Sequence, residues 1–263
     1  MRFRINFTLE GKDPFTLPAS YQSEFSAWIH KMLHFESDKF TKWLKKKAYT
    51  DSSGEYRMYT FSDVVFPGHI NQNDKILIEG NKADMIISFY ADPEIESLLY
   101  PIFEKQEFKV GDMQGKVAFK VENFEKIEEP DLTKGGSYTF RCISPMLVSE
   151  NNKVDGPFHS PDQKDFDKIF FKNLMFKYAN LVKFMAIDPG KGLPNLKELE
   201  FKLIGKPRPK IVKIKSDTPH QKSVKGFVFD FNLKAPEELL KIGYNGGFGD
   251  FNHLGFGCCE LKQ

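Results

Sequence analysis

The sequence predicts an α+β protein made of two tandem βαββαβ units, residues 1–130 and 131–263, with a glycine-rich loop near the C-terminus. Three observations carry that expectation. The opening residues alternate strictly, Phe3, Ile5, Phe7 and Leu9 on one side and Arg2, Arg4, Asn6 and Thr8 on the other, the period of a strand with one covered face. The order strand, helix, two strands, helix, strand can be read twice along the chain. Six glycines crowd the fifteen residues 243–257.

Each element has its own signal. Pro18 and Ser20 precede a helix in which Phe25, Ile29, Met32 and Leu33 recur at i, i+4, i+7 and i+8. A second short helix is expected from about Asp38, with Phe40, Trp43 and Leu44 inward. Strands follow at Tyr56–Phe61, Lys75–Glu79 and Met85–Tyr90, the last two joined by the turn signal Gly80-Asn81. Asp92-Pro93 opens a helix running from Ile95 to Phe103, and two strands lie around Phe108 and Val117–Val121. That succession is the order of a ferredoxin-like unit. The polar stretch from Glu128 to Gly136 reads as a linker. The order then repeats, with strands at Tyr138–Ile143 and Met146–Val148 and a long amphipathic helix from Asp162 to Phe184. Strands near Leu199–Leu203, Lys210–Lys215 and Gly226–Leu233, a short helix from Ala235 to Gly243 and a last strand within 255–261 complete it.

A composition of 40% hydrophobic and 28% charged residues excludes disordered and fibrous classes. No run approaches eighteen apolar residues, so no membrane span is expected. Three cysteines (Cys142, Cys258 and Cys259) make no disulfide framework, and the N-terminus lacks the apolar core of a secretion signal. A reducing, cytoplasmic setting is the expectation. The net charge of +2 argues for no partner, but residues 205–225 hold seven basic side chains against the single acid Asp217, and Lys39, Lys42, Lys45, Lys46 and Lys47 form a second cluster.

The glycine-rich stretch admits two readings: a turn joining the last helix and strand, or a loop whose amides cradle phosphate. It is neither a dinucleotide fingerprint, since Asn252 stands where the third glycine belongs, nor a Walker loop, since Gly-Lys-Ser/Thr is absent. Tyr244, Phe248 and Phe251 could stack bases or pack the loop onto the sheet. On the first helix, His30 and His34 lie one turn apart, roughly 130–170° from the centre of the apolar face, where solvated surface is the plain alternative to chemistry. A zinc pair at that spacing would lack the glutamate and a third ligand. Asp162, Asp165 and Asp167 read as helix N-terminal charge.

The run Leu239-Leu-Lys-Ile-Gly243 through Gly257, with Ile-Ser144-Pro145-Met-Leu-Val upstream, resembles the CRISPR-associated endoribonucleases that cut precursor CRISPR RNA, family six of the CRISPR-associated proteins within the RAMP superfamily. The likeness extends over nearly the whole chain. It implies two ferredoxin-like halves, CRISPR repeat RNA as partner, association with other CRISPR effector subunits, and a monomer or homodimer. It also implies cleavage without metal or cofactor, the ribose 2′-OH attacking the adjacent phosphorus to leave a 2′,3′-cyclic phosphate and a 5′-OH. Such a reaction needs a proton acceptor, a proton donor and cations on the phosphorane. The family's catalytic histidine follows a Trp/Tyr-Leu pair; here Trp43-Leu44 is followed by Lys45. His30 falls where some members carry a tyrosine, and Arg57 matches a family lysine. The resemblance therefore implies His30 as base or base–acid shuttle and Lys45 and Arg57 as cations, with His34 in reserve.

RNA contacts are expected from Lys206, Arg208, Lys210, Lys213 and Lys215, read as one cationic strand face. The loop residues Gly246, Gly247, Gly249, His253, Gly255 and Gly257 complete the set. A non-cleaving repeat-RNA binder, a structural subunit of an effector complex and an unrelated RNA-binding protein are the rival readings.

Overall fold

The computed structural model describes residues 1–35, 49–51, 54–56, 58–72, 74–112, 115–132, 136–150, 158–183, 199–214 and 221–262, with the side chains at 34, 35, 49–51 and 54–56 outside that description. The first half runs β1 (Arg2–Glu10), β2 (Phe15–Pro18), α1 (Gln22–Phe35), β3 (Tyr49–Asp51), β4 (Gly54–Tyr56), β5 (Tyr59–Phe61), β6 (His69–Gln72), β7 (Lys75–Ile78), β8 (Lys82–Phe89), α2 (Glu96–Phe103), β9 (Glu107–Asp112) and β10 (Gly115–Lys126). The second runs β11 (Gly136–Cys142), α3 (Phe166–Lys183), β12 (Glu200–Ile214), β13 (Lys222–Ala235), α4 (Glu237–Gly246) and β14 (Cys259–Leu261).

Both halves form antiparallel sheets with the same internal order. In the first, β1 lies between β8 and β10, with β5 outside β8 and β9 outside β10. In the second, β11 lies between β13 and β14, with β12 outside β13. Taking β1, β5, β8 and β10 as one set and β11, β12, β13 and β14 as the other, each has its first strand beside its third and fourth, the ferredoxin-like arrangement expected. A small sheet β2-β7-β6 and the ribbon β3-β4 are additions to the first half.

The pattern that predicts β1 also explains its core. Phe3, Ile5, Phe7 and Leu9 are all buried, and α1 lays Phe25, Trp28, Ile29 and Leu33 onto that side of the sheet. Much of the filling is aromatic, including Trp28 stacked on Phe108 at 4.1 Å. In the second half Phe140, Phe229 and Phe231 meet Phe166, Phe170 and Leu174 of α3 and Leu239 and Leu240 of α4. Leu132, inside the expected linker, is buried in that core.

Several expectations need correction. Gly80-Asn81 does not close a hairpin: β7 pairs with β2 and β6 while β8 pairs with β1 and β5, so the turn carries the chain from the small sheet to the large one. Leu199–Leu203 and Lys210–Lys215 are not separate strands within the described residues. Residues 200–203 and 210–214 both belong to β12, with a break in register between Ile204 and Arg208 where Gly205 has φ +71°. Met146–Val148 makes a single bridge, Met146 to Phe227, rather than a strand. Arg2 is not on an open face; it is 2% exposed, because the far end of the chain covers it. The helix expected from Asp38 lies outside the described residues.

Gly257 tests how tightly this core closes. It has φ +70°, and a Cβ there would stand 1.8 Å from the carbonyl oxygen of Phe248. Gly257→Ala is expected to lower stability by roughly 2–4 kcal/mol, read as a drop in the midpoint of thermal unfolding. An unchanged midpoint would refute this packing.

Candidate nucleic-acid interface

The glycine-rich stretch joins α4 to β14 as a buried segment rather than an exposed cradle. Gly246, Gly247, Gly249, Gly255 and Gly257 are buried, and at each an added Cβ would meet protein atoms. Gly249, for example, has φ +67° and would place a Cβ 2.2 Å from the carbonyl oxygen of Leu147. Loop amides are used internally: Phe248 donates to Gly257 O, Asp250 to Leu147 O, and Gly257 to Pro145 O. These features fit the first of the two readings of the stretch, a turn whose glycines let the chain pass close to its neighbours. Phe248 is fully buried in the second core, and Tyr244 is buried beneath the Arg2 guanidinium at 4.1 Å. Both therefore pack rather than stack bases, while Phe251 is half-buried against Phe158.

The loop joins the halves. From the first half, Gln22 Nε2 donates to Gly255 O, Ser26 Oγ to His253 O at 3.1 Å, and Thr60 Oγ1 to Phe256 O at 2.9 Å. Arg2 donates to Cys259 O and to Cys258 Sγ. From the second half, Ser144 Oγ accepts the Cys258 amide at 3.0 Å, so the Ile-Ser-Pro segment lies directly against the glycine stretch.

Under the loop sits a buried polar network. Lys177 of α3, 1% exposed, donates from Nζ to Gly247 O at 2.7 Å, Gly249 O at 2.6 Å and Asn252 Oδ1 at 2.7 Å. Asn252 Nδ2 donates in turn to Phe248 O and Phe256 O, both at 2.9 Å. Asp250 accepts from the Ser149 amide at 2.7 Å, from Ser149 Oγ at 2.9 Å and from Asn173 Nδ2. Burial pushes the Lys177 ammonium down to about 7, against the pull of the Asp250 charge. Burial likewise raises Asp250 to about 6, opposed by the Ser149 hydrogen bonds and by Lys177.

This packing changes the standing of the first helix. Gln22, Ser26 and His30 follow each other at i, i+4 and i+8, so they form one stripe on α1. Its first two members bond the loop, and His30, half-buried, continues it. The face expected to be open is thus covered by the loop over its first turns. His253, also half-buried, sits in the short 3-10 turn Asn252–Leu254 that Ser26 holds. His30 and His253 are therefore carried by elements in contact. His34 lies in the last turn of α1, with its side chain outside the description. Lys45, Arg57 and Lys215 lie outside the described residues.

The basic strand does not present one cationic face. Arg208 and Lys210 share a side of β12 with the buried Val212 and Ile214, whereas Lys213 shares the other with Ile211, which is 70% exposed. Lys210 is paired with Asp63 at 2.6 Å. Lys206 and Arg208 are exposed at the register break and have no acidic partner among the described residues. With Arg141, Ile204, Val228 and Asp230 they line a cleft of about 450 Å³ on the second sheet. Asp230 there already holds Arg141 at 3.2 Å and Lys262 at 2.8 Å, which leaves Lys206 and Arg208 as the cleft's cations without an acidic partner among the described residues.

Sequence reasoning missed Lys177, Asn173, Asp250 and Arg2. A signal existed for the first two. Phe170, Leu174, Tyr178 and Leu181 mark the buried side of α3, and Asn173 and Lys177 interrupt that same side. Among the described residues no three His, Cys, Asp or Glu side chains converge as a metal site requires. No helix among them is long and apolar enough to cross a membrane.

Comparison with known proteins gives consistent matches. A family model described as CRISPR associated protein Cas6, C-terminal, matches residues 127–261. The chain is 27% identical over 266 residues to a CRISPR-associated endoribonuclease Cas6 of Pyrococcus furiosus, covering 100% of this chain and 90% of that protein. It is 24% identical over 268 residues to a putative CRISPR-associated endoribonuclease-like protein Cas6nc of Pyrococcus horikoshii, with 100% of each covered. A solved structure described as an RAMP protein binding different RNA substrates superposes with a TM-score of 0.77, at 23% identity and with 100% of each chain covered.

The lowered ammonium has a consequence for stability. Above pH 7 the folded protein binds fewer protons at Lys177 than the unfolded chain, whose lysines titrate near 10.5. Raising pH from 7 to 9 therefore favours the folded state through this group. The gap in unfolding free energy between wild type and Lys177→Met is expected to widen over that range in denaturant titrations. A constant or narrowing gap would contradict the assignment.

Proposed function

This chain belongs to the Cas6 family of CRISPR-associated proteins, and from that premise we propose that it binds CRISPR repeat RNA and cuts precursor CRISPR RNA without a metal. The observation that carries the reading is the Gln22–Ser26–His30 stripe, which meets the turn bearing His253. Loop and helix together form a half-buried, histidine-bearing edge where the halves join. The exposed Lys206 and Arg208 supply charge for the phosphate backbone.

Within this scheme His30 takes the proton from the ribose 2′-OH as that oxygen attacks phosphorus. The P–O5′ bond breaks, and the products are a 2′,3′-cyclic phosphate and a 5′-OH. An imidazole, with an ordinary pKa of about 6.5, can accept the first proton and return one to the leaving oxygen. Lys45 and Arg57, with His34 in reserve, complete the proposed set as groups that stabilise the phosphorane or substitute for the base. Lys45 itself favours a second reading: it stands where the resemblance places a histidine, so a repeat-RNA binder that does not cut is the alternative. The name of the Pyrococcus furiosus relative, an endoribonuclease, supports the cutting reading.

Cleavage of the host's repeat RNA in EDTA, with binding measured on the same samples, decides between these. His30→Ala is expected to slow cutting by about 10²-fold or more while leaving affinity within about threefold. Cutting that survives moves the base elsewhere, and wild-type binding without cutting selects the second reading. Lys206→Ala with Arg208→Ala is expected to flatten the dependence of log affinity on log salt by roughly 0.7 for each phosphate of single-stranded RNA that is no longer neutralised. An unchanged slope would remove both residues from the interface.

A further inference from the structure

The scheme above leaves the Lys177 network without a role in the reaction. It is centred on α3 rather than α1, yet contacts lead from Lys177 to His30 in four steps, through Asn252, the adjacent His253 and Ser26. The ammonium has three N–H donors, and three acceptors converge on it: Gly247 O, Gly249 O and Asn252 Oδ1. Lys177 is 1% exposed and Asn252 4%, so these acceptors lie away from the surface, where an unmet carbonyl is costly. The third bond does more than satisfy an acceptor. With Oδ1 directed at the ammonium, the Asn252 amide must turn Nδ2 away, toward Phe248 O and Phe256 O. Phe256 O also takes the bond from Thr60, and Asn252 opens the turn whose next residue is His253. The His253 carbonyl is then held by Ser26, one helical turn before His30.

We infer that Lys177 is a positioning residue for the RNA site: its ammonium fixes the orientation of the Asn252 amide and thereby seats His253 against the helix that carries His30. The inference rests on the RNA reading for its functional meaning. Its structural content, the placement of His253, stands apart from that reading. Lys177 touches no substrate in this account; it acts through Asn252. The neighbouring Asp250 hydrogen-bonds Ser149 and Asn173 rather than Asn252, but its charge supports the Lys177 ammonium, so Asp250→Asn serves as the background against which removal of the ammonium is read.

The test compares wild type, Asp250→Asn and Lys177→Met/Asp250→Asn in the full-length protein. The double variant removes the ammonium without stranding a buried carboxylate. Lys177→Gln, which keeps two donors, is carried alongside in case the double variant does not fold. The first readout is the His253 ring resonance in RNA-free protein, assigned by its loss in His253→Gln. The second is single-turnover cleavage of repeat RNA in EDTA together with RNA affinity. Loss of the ammonium is expected to shift or broaden the His253 signal and slow cutting more than tenfold, with affinity within about threefold of wild type. Asp250→Asn, which keeps the Lys177 nitrogen facing Asn252 Oδ1 but removes its supporting charge, is expected to lie between wild type and the double variant on both readouts. A folded variant lacking the ammonium overturns the inference if its His253 signal is that of wild type, or if the signal moves and cutting stays as fast. Wild type that neither binds nor cuts the RNA fails the RNA reading instead, and the His253 signal then decides the role of Lys177 by itself.

Discussion

One buried ammonium sets the terms for the C-terminal third of this protein. Lys177 satisfies carbonyls that a chain turning this sharply inside a core would otherwise leave unpaired. With them satisfied, the glycines can bring the backbone against Leu147, Met58 and Phe61 at distances no side chain would permit. Six glycines and one lysine thus solve a single problem, that of burying an irregular segment between two folded halves.

The consequence is a joint built from backbone acceptors. Gln22, Ser26, Thr60 and Arg2 all reach across to carbonyls of the segment 253–259. Apart from the Arg2 contacts with Cys258 Sγ and the Tyr244 ring, these partners are main-chain atoms, so the joint depends chiefly on the path of the loop. Arg2 shows the cost of misplacing that path. Its guanidinium is buried over Tyr244 with bonds to Cys258 and Cys259, and a shifted loop would leave a buried cation without partners.

Much of the architecture was legible because hydrophobic period is local. β1 follows from alternation of Phe3, Ile5, Phe7 and Leu9, and α1 follows from Phe25, Ile29 and Leu33. Element order then carried the tandem arrangement. The site was less legible, since its covering surface comes from residues more than 200 positions away. Nothing near Gln22 and Ser26 indicates that a loop will close over them, and a period-2 pattern marks Arg2 as outward whatever later covers it. Lys177 was the most readable of the missed residues, a cation on the side of α3 that otherwise holds Phe170, Leu174 and Tyr178. Basic character alone misled at β12, where register places Lys213 opposite to Arg208 and Lys210.

The central claim is that the glycine-rich segment is an internal joint before any RNA arrives. Amide hydrogen exchange in RNA-free protein tests it at Phe248, Asp250 and Gly257, whose N–H groups bond to Gly257 O, Leu147 O and Pro145 O. The account predicts protection approaching that of Phe7 and Phe231 at the centres of the two sheets. Exchange at these amides as fast as in an exposed loop, slowed only when repeat RNA is added, would contradict it.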